Sequence, residues 1–162
     1  MDKTYEPIAT QTLGSAVASI TFSSIPQIYT DLVLVSNAIN TTLQSCRLRF
    51  NNDAGTNYSE NYLLGSGTAA TAGRGNNLTN LDHNYTDTTP AAGVTFINNY
   101  SNSATFKSVL MRWNNTGSSD PYVGFYVGLW RNTAAINSIE VFVLSSTMAI
   151  GSTYTLYGIK AA

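Results

Sequence analysis

The chain has 162 residues, 43% of them apolar, which is enough for one domain with a substantial core. Only 10% are charged and the formal net charge is −1, so the basic surface that nucleic acid requires is missing. Ser, Thr and Asn together number 55, so the surface is one of hydroxyls and amides, and a single His and a single Cys leave little for metal or nucleophilic chemistry.

In chain order, Met1–Pro7 has no apolar stretch of the secretory kind, so no signal peptide is expected. No run approaches the ~18 apolar residues of a membrane span. Residues 1–12 read as an N-terminal arm. Ala18, Ile20 and Phe22 alternate with Ser19 and Thr21, which is the period of a half-buried strand. Leu32-Val33-Leu34-Val35 is apolar on both faces and predicts a central strand. Cys46, Leu48 and Phe50 alternate with Arg47 and Arg49, and Asn51–Gly55 is a turn cluster.

Glu60–Leu64 and Leu78–Asn84 are weaker strand candidates. Residues 65–77 between them are rich in Gly, Ala and Thr and read as a long surface loop. Val94–Ile97 and Phe106–Trp113 are strands, followed by a turn cluster over Asn114–Pro121. In Tyr122–Trp130, Tyr122, Tyr126 and Trp130 share one face with Gly124 and Gly128 between them, and Val123, Phe125, Val127 and Leu129 take the other. The aromatic face is core if covered, and a protein interface or glycan platform if exposed. Ile139–Leu144 and Tyr154–Ile159 close the set. Many short antiparallel strands with no helical window predict an all-β, single-domain antiparallel β-sandwich, jelly-roll-like at this length.

Enzyme chemistry finds poor support. His83 follows Asp82 in an Asn-rich stretch, with no Gly-x-Ser-x-Gly elbow in the chain, and is expected at a surface or interface. Cys46 occupies an inward strand position and is expected to be buried core. Asn52, Asp53, Asn57 and Glu60 carry oxygen ligands but lack the Asp density of a calcium loop, so they read as turn residues and no metal or cofactor is expected. Glycoside hydrolysis needs two carboxylates in one cleft, and the nine acids show no such pair along the sequence. The lone Cys, with no leader expected, fits synthesis in a reducing cytoplasm.

Tyr5-Glu6-Pro7-Ile8-Ala9-Thr10, Ile20-Thr21-Phe22-Ser23-Ser24-Ile25-Pro26-Gln27, Leu48-Arg49-Phe50-Asn51, Val127-Gly128-Leu129-Trp130-Arg131 and the ending Gly151-Ser152-Thr153-Tyr154-Thr155-Leu156-Tyr157-Gly158-Ile159-Lys160 together resemble a family of small virion structural proteins of tailed bacteriophages, frequent among phages of cyanobacteria and marine bacteria. The resemblance spans nearly the whole chain, and its terminal pattern is the most specific part. It implies a non-enzymatic capsid cement or decoration protein on the outer head surface. Such a protein would be made in the host cytoplasm and released by lysis. Its expected partners are the major capsid protein and its own copies, in a homotrimer, with neither nucleic acid nor membrane. The alternative is a tail-associated receptor- or glycan-binding module. The candidate interface residues are Tyr5, Arg47, Arg49, Arg74, Tyr122, Tyr126 and Trp130.

Overall fold

The computed structural model describes residues 4–117 and 121–160, and every regular element among them is a strand. In chain order these are β1 (Tyr5–Thr12), β2 (Ser19–Phe22), β3 (Asp31–Ala38), β4 (Gln44–Phe50), β5 (Tyr58–Gly65), β6 (Ala70–Leu78), β7 (Leu81–Thr86), β8 (Ala91–Ile97), β9 (Lys107–Asn115), β10 (Tyr122–Trp130), β11 (Ile139–Phe142) and β12 (Thr153–Ile159). They form an eight-stranded sheet, β1-β12-β3-β8-β9-β10-β5-β6, and a four-stranded sheet, β2-β11-β4-β7. Every pairing is antiparallel, and one core cluster joins the two inner faces, so the fold is an antiparallel β-sandwich. The eight-against-four division differs from an eight-stranded jelly roll.

Alternation set the strands where side chains are large. In β4, Cys46, Leu48 and Phe50 are buried and Arg47 and Arg49 are not. The doubly apolar Leu32-Val33-Leu34-Val35 lies in β3, flanked by β12 and β8, with Leu32, Val33 and Leu34 buried and Val35 exposed. Two expectations need correction. Residues 5–12 are not an arm but the edge strand β1, laid along β12, with Thr10 and Thr155 sharing a hydroxyl hydrogen bond at 3.1 Å. Residues 65–77 are not a long loop: the reversal is confined to Ser66–Ala69, where Gly67 has φ +83°, and β6 then pairs with β5.

The reason β6 escaped notice is that its cover comes from its neighbour. The Tyr62 ring of β5 lies across Gly73, where a Cβ would come within 2.3 Å of the tyrosine hydroxyl. Any larger residue there would push the Tyr62 ring aside.

His83 also departs from expectation. The β4–β7 register slips so that Cys46 faces Asn84 and Arg47 faces Asp82, leaving His83 as the extra residue of a bulge. Its ring turns into the core and is fully buried. Nδ1 lies 2.7 Å from Thr95 Oγ1 on β8, and Nε2 lies 2.9 Å from Ser36 Oγ on β3. The imidazole thus ties the small sheet to the large one. The turn cluster Asn51–Gly55 is observed, whereas residues 118–120 of the Asn114–Pro121 cluster lie outside the described residues.

Lys107 is buried opposite Trp130, and its Nζ donates to the carbonyls of Asn102, Thr105 and Thr133 at 2.6, 2.7 and 3.0 Å. One ammonium therefore closes two loops. Lys107→Met keeps the stem but strands three acceptors, and is expected to lower unfolding free energy by about 2–4 kcal/mol in urea titration. A loss below about 0.5 kcal/mol would show that the loops close without it.

Candidate functional site

β10 decides how the molecule presents itself. Its Tyr122, Gly124, Tyr126, Gly128 and Trp130 face inward, and Val123, Phe125, Val127 and Leu129 face out. Trp130 is fully buried between Phe50 and Tyr58, and its Nε1–H donates to Asp53 Oδ2 at 2.8 Å. Gly124 gives the Trp113 indole room to lie flat on the strand, since a Cβ there would come within 2.2 Å of it. The expectation of Tyr126 and Trp130 as interface residues is therefore corrected: both are core, and Tyr122 is half-buried against the same cluster.

The face that remains open is apolar. Cross-strand register puts Leu63 opposite Phe125, with Ala72 beyond it on β6 and Arg112 on the other side on β9. Val127 lies between Leu110 and Asn61, and Arg74 follows Asn61. Val123, Leu63 and Val127 are 62%, 59% and 46% exposed. A shallow hollow runs between Leu63, Ala70, Arg112, Val123 and Phe125. The charged residues of this face on β9, β10, β5 and β6 are Arg112 and Arg74, with no acid among them. Sequence reasoning singled out Arg74 here but missed the apolar residues, because alternation alone does not say which set faces water.

The other predicted contacts are scattered. Tyr5 is exposed at the far edge on β1. Arg47 and Arg49 are engaged within the small sheet. Arg47 pairs with Asp82 at 3.2 Å and donates to Asn80 Oδ1 at 2.9 Å. Arg49 pairs with Glu140 at 3.0 Å and lies over the Phe142 ring.

β10, β5 and β6 form a wing of the large sheet, and on its inner side the cover of the small sheet runs out. β6 has no fully buried residue, and in β5 only Tyr58 is fully buried. Aromatic rings fill the gap: Tyr62 stacks on Tyr126 at 5.2 Å, and Trp113 lies 6.1 Å from Tyr126 and 6.0 Å from Tyr85. A cleft of about 260 Å³ opens between Ser45, Leu64, Tyr85, Trp113, Tyr122 and Tyr126.

The polar groups near it are specific. Glu60 and Asp82, distant in sequence, come together: Glu60 Oε2 accepts the Asp82 backbone N–H at 3.1 Å. Burial, and then the Asp82 charge, push the Glu60 carboxyl up to about 7. The contact runs through the Asp82 backbone, and neither residue lines the aromatic cleft. Burial raises Asp82 as well, against the pull of Arg47 and Ser45. Burial alone would raise Asp53, but hydrogen bonds from Asn57, Trp130 and Gly55 hold it below its ordinary value.

Cys46 is buried as expected, and burial pushes its thiol up to about 11, the opposite of an activated nucleophile. Among the described residues, no three His, Cys, Asp or Glu side chains gather to hold a metal, and no helix is long and apolar enough to cross a membrane. Comparison with protein-family models and with curated proteins finds no match, so the functional reading rests on this geometry and on the sequence resemblance.

Two buried titrations act with opposite sign. Burial lowers the His83 pKa to about 4, below its value of about 6.5 in the unfolded chain, so the unfolded state binds the proton more readily. Its stabilisation is complete above about pH 6.5 and is lost as pH falls towards 4. Glu60 is raised, so its stabilisation is complete below about pH 4.5 and is lost as pH rises through 7. Relative to the unsubstituted chain, Glu60→Gln is expected to gain about 2–3 kcal/mol between about pH 4 and pH 8. His83→Gln is expected to close a similar part of its stability deficit as pH falls over the same span. Urea titrations across that range test both, and parallel profiles would contradict the two assignments.

Proposed function

We propose that this chain is a structural protein of a tailed-phage virion, a cement or decoration protein. In this reading it sits on the outer head surface as a homotrimer and holds neighbouring major-capsid-protein subunits by surface complementarity, with no catalysis. The observation that carries the reading is the exposed apolar face of Leu63, Val123, Phe125 and Val127, flanked by Arg74 and Arg112. Solitary soluble proteins rarely leave such a contiguous patch in water, and a protein partner removes it. With two arginines and no acid on the face, a partner presenting apolar side chains and carboxylates is complementary.

The edge of the wing adds to this. β6 ends the large sheet with small side chains, one charge and no Pro, which leaves its backbone open to pairing. At the opposite edge β1 carries Pro7 and a register shift beside it, two devices that blunt an edge strand. The reduced, buried Cys46 suits folding in the host cytoplasm and release by lysis. The alternative is a tail-associated receptor- or glycan-binding module, which would be present in a handful of copies at the tail.

Purified protein mixed with undecorated heads is expected to bind in stoichiometric amounts, in hundreds of copies per particle by quantitative gel. Val127→Asp, at a solvent-exposed position, is expected to fold normally and to lose at least about tenfold in uptake. No uptake of the unsubstituted chain, or a handful of copies confined to tails, would overturn the reading.

A further inference from the structure

We propose that the aromatic cleft on the inner side of the wing is a binding site for an uncharged saccharide and holds a single pyranose residue of a glycan. The cleft lies on the opposite side of the sheet from the apolar docking face, so the inference does not depend on how that face is used.

Shape and charge come first. The six lining residues, Ser45, Leu64, Tyr85, Trp113, Tyr122 and Tyr126, are all neutral, so a charged ligand entering the cleft would lose its hydration without gaining a counter-charge from the walls. At about 260 Å³, the space suits one sugar ring rather than an extended peptide. Its walls are π surfaces: Tyr85 meets Tyr122 edge to face at 5.9 Å and lies 6.0 Å from Trp113. Tyr122 is only half-buried, which leaves ring surface to receive a ligand. The C–H face of a pyranose carries a slight positive charge and packs on the negative face of an aromatic ring.

Polar groups then separate a sugar from an apolar occupant. Trp113 is 6% exposed, and its Nε1–H has no partner among the described residues. Asn115 follows two residues later on the same face of β9, pairs in register with Tyr122, and has an unpartnered Nδ2. Asn84, whose Cβ lies against Gly93 in the row that pairs with Trp113, has both side-chain polar atoms unpartnered. Buried polar groups left in this state cost about 1–3 kcal/mol each, and natural cores hold few of them. Here Trp113, which lines the cleft, and Asn115 and Asn84, which do not, carry such groups in the core behind it. On the walls themselves Ser45, Tyr122 and Tyr126 carry hydroxyls, which donate and accept as sugar hydroxyls do, and a hydrocarbon side chain does not complement them.

The chain's two tryptophans supply a built-in control. Trp130 is at the covered end of β10 with its N–H held by Asp53, whereas Trp113 lines the cleft. In an NMR titration of the full chain, the two indole N–H cross-peaks are assigned with Trp113→Phe. Glucose, galactose, mannose, N-acetylglucosamine and their disaccharides are then added in turn. At least one sugar is expected to shift the Trp113 peak saturably and leave the Trp130 peak in place. Tyr122→Ala is expected to weaken that binding at least about tenfold, and Tyr122→Phe, which keeps the ring, by no more than about threefold. Val127→Asp on the outer face is expected to bind the sugar unchanged, so a failure of capsid docking and a failure of this site are separable.

The proposal is overturned if no sugar in the panel shifts the Trp113 peak, if both indole peaks move together, or if Tyr122→Ala binds as the unsubstituted chain does. It is also overturned if N-acetylphenylalaninamide shifts the Trp113 peak where sugars do not, since the cleft would then receive an apolar anchor from a protein partner.

Discussion

An eight-stranded sheet faces a four-stranded one, and the smaller sheet cannot cover the larger. Much of the molecule follows from that mismatch. Where cover exists, along β3, β8, β9 and the Trp130 end of β10, ordinary aliphatic and aromatic core fills the gap, with Phe50, Tyr58, Leu81 and Met111 fully buried. Where cover ends, along β5, β6 and the Tyr122 end of β10, rings from the sheet fold over its own glycines: Tyr62 over Gly73 and Trp113 over Gly124. This self-cover leaves a cleft on the inner side and a plain apolar surface on the outer side.

The scarcity of charge fits this architecture. The three ion pairs of the described residues, Arg47–Asp82, Arg49–Glu140 and Lys160–Glu6, all lie within the sheets or along their edges. Amides and hydroxyls do the structural work that charges do elsewhere. Asn51 sits at φ +50°, donates to the Ala135 carbonyl, and accepts the N–H groups of Asn137 and Ser138, which fixes the approach to β11. Ser152 exchanges two hydrogen bonds with the Ile39 backbone, and His83 spans the sheets through two hydroxyls. Such neutral contacts cost little to bury when both partners are present, and they leave the outer wing with no charge repulsion beyond its two arginines.

The period of two in Ala18–Phe22, Cys46–Phe50 and Tyr122–Trp130 marked strands, because large side chains on a pleated backbone must alternate between core and solvent. The doubly apolar Leu32-Val33-Leu34-Val35 marked an internal strand, because a strand covered on both faces needs apolar side chains on each, although Val35 stays exposed. Alternation is blind to sign, however. In β10 both faces are apolar, and the inward one is chosen by what lies across the core: Trp113 and Leu81 press on Gly124 and Gly128, and Asp53 waits for the Trp130 N–H. β6 was invisible because its strand character resides in its partner's rings. His83 looked like a surface residue because the bulge that turns it inward is a property of β4 and β7 together.

The amino-acid sequence by itself therefore determined the all-β class, the positions of the well-patterned strands, the buried Cys46, and the uncharged hydroxyl-amide surface. These follow from local periodicity and composition, which every residue carries with it. Only the tertiary structure decided which face of β10 meets water, that residues 5–12 and 70–78 are edge strands, that Glu60 meets Asp82, and that a ring-lined cleft opens beside Trp113. Each of those depends on groups far apart in the chain arriving at one place, and no local pattern encodes that.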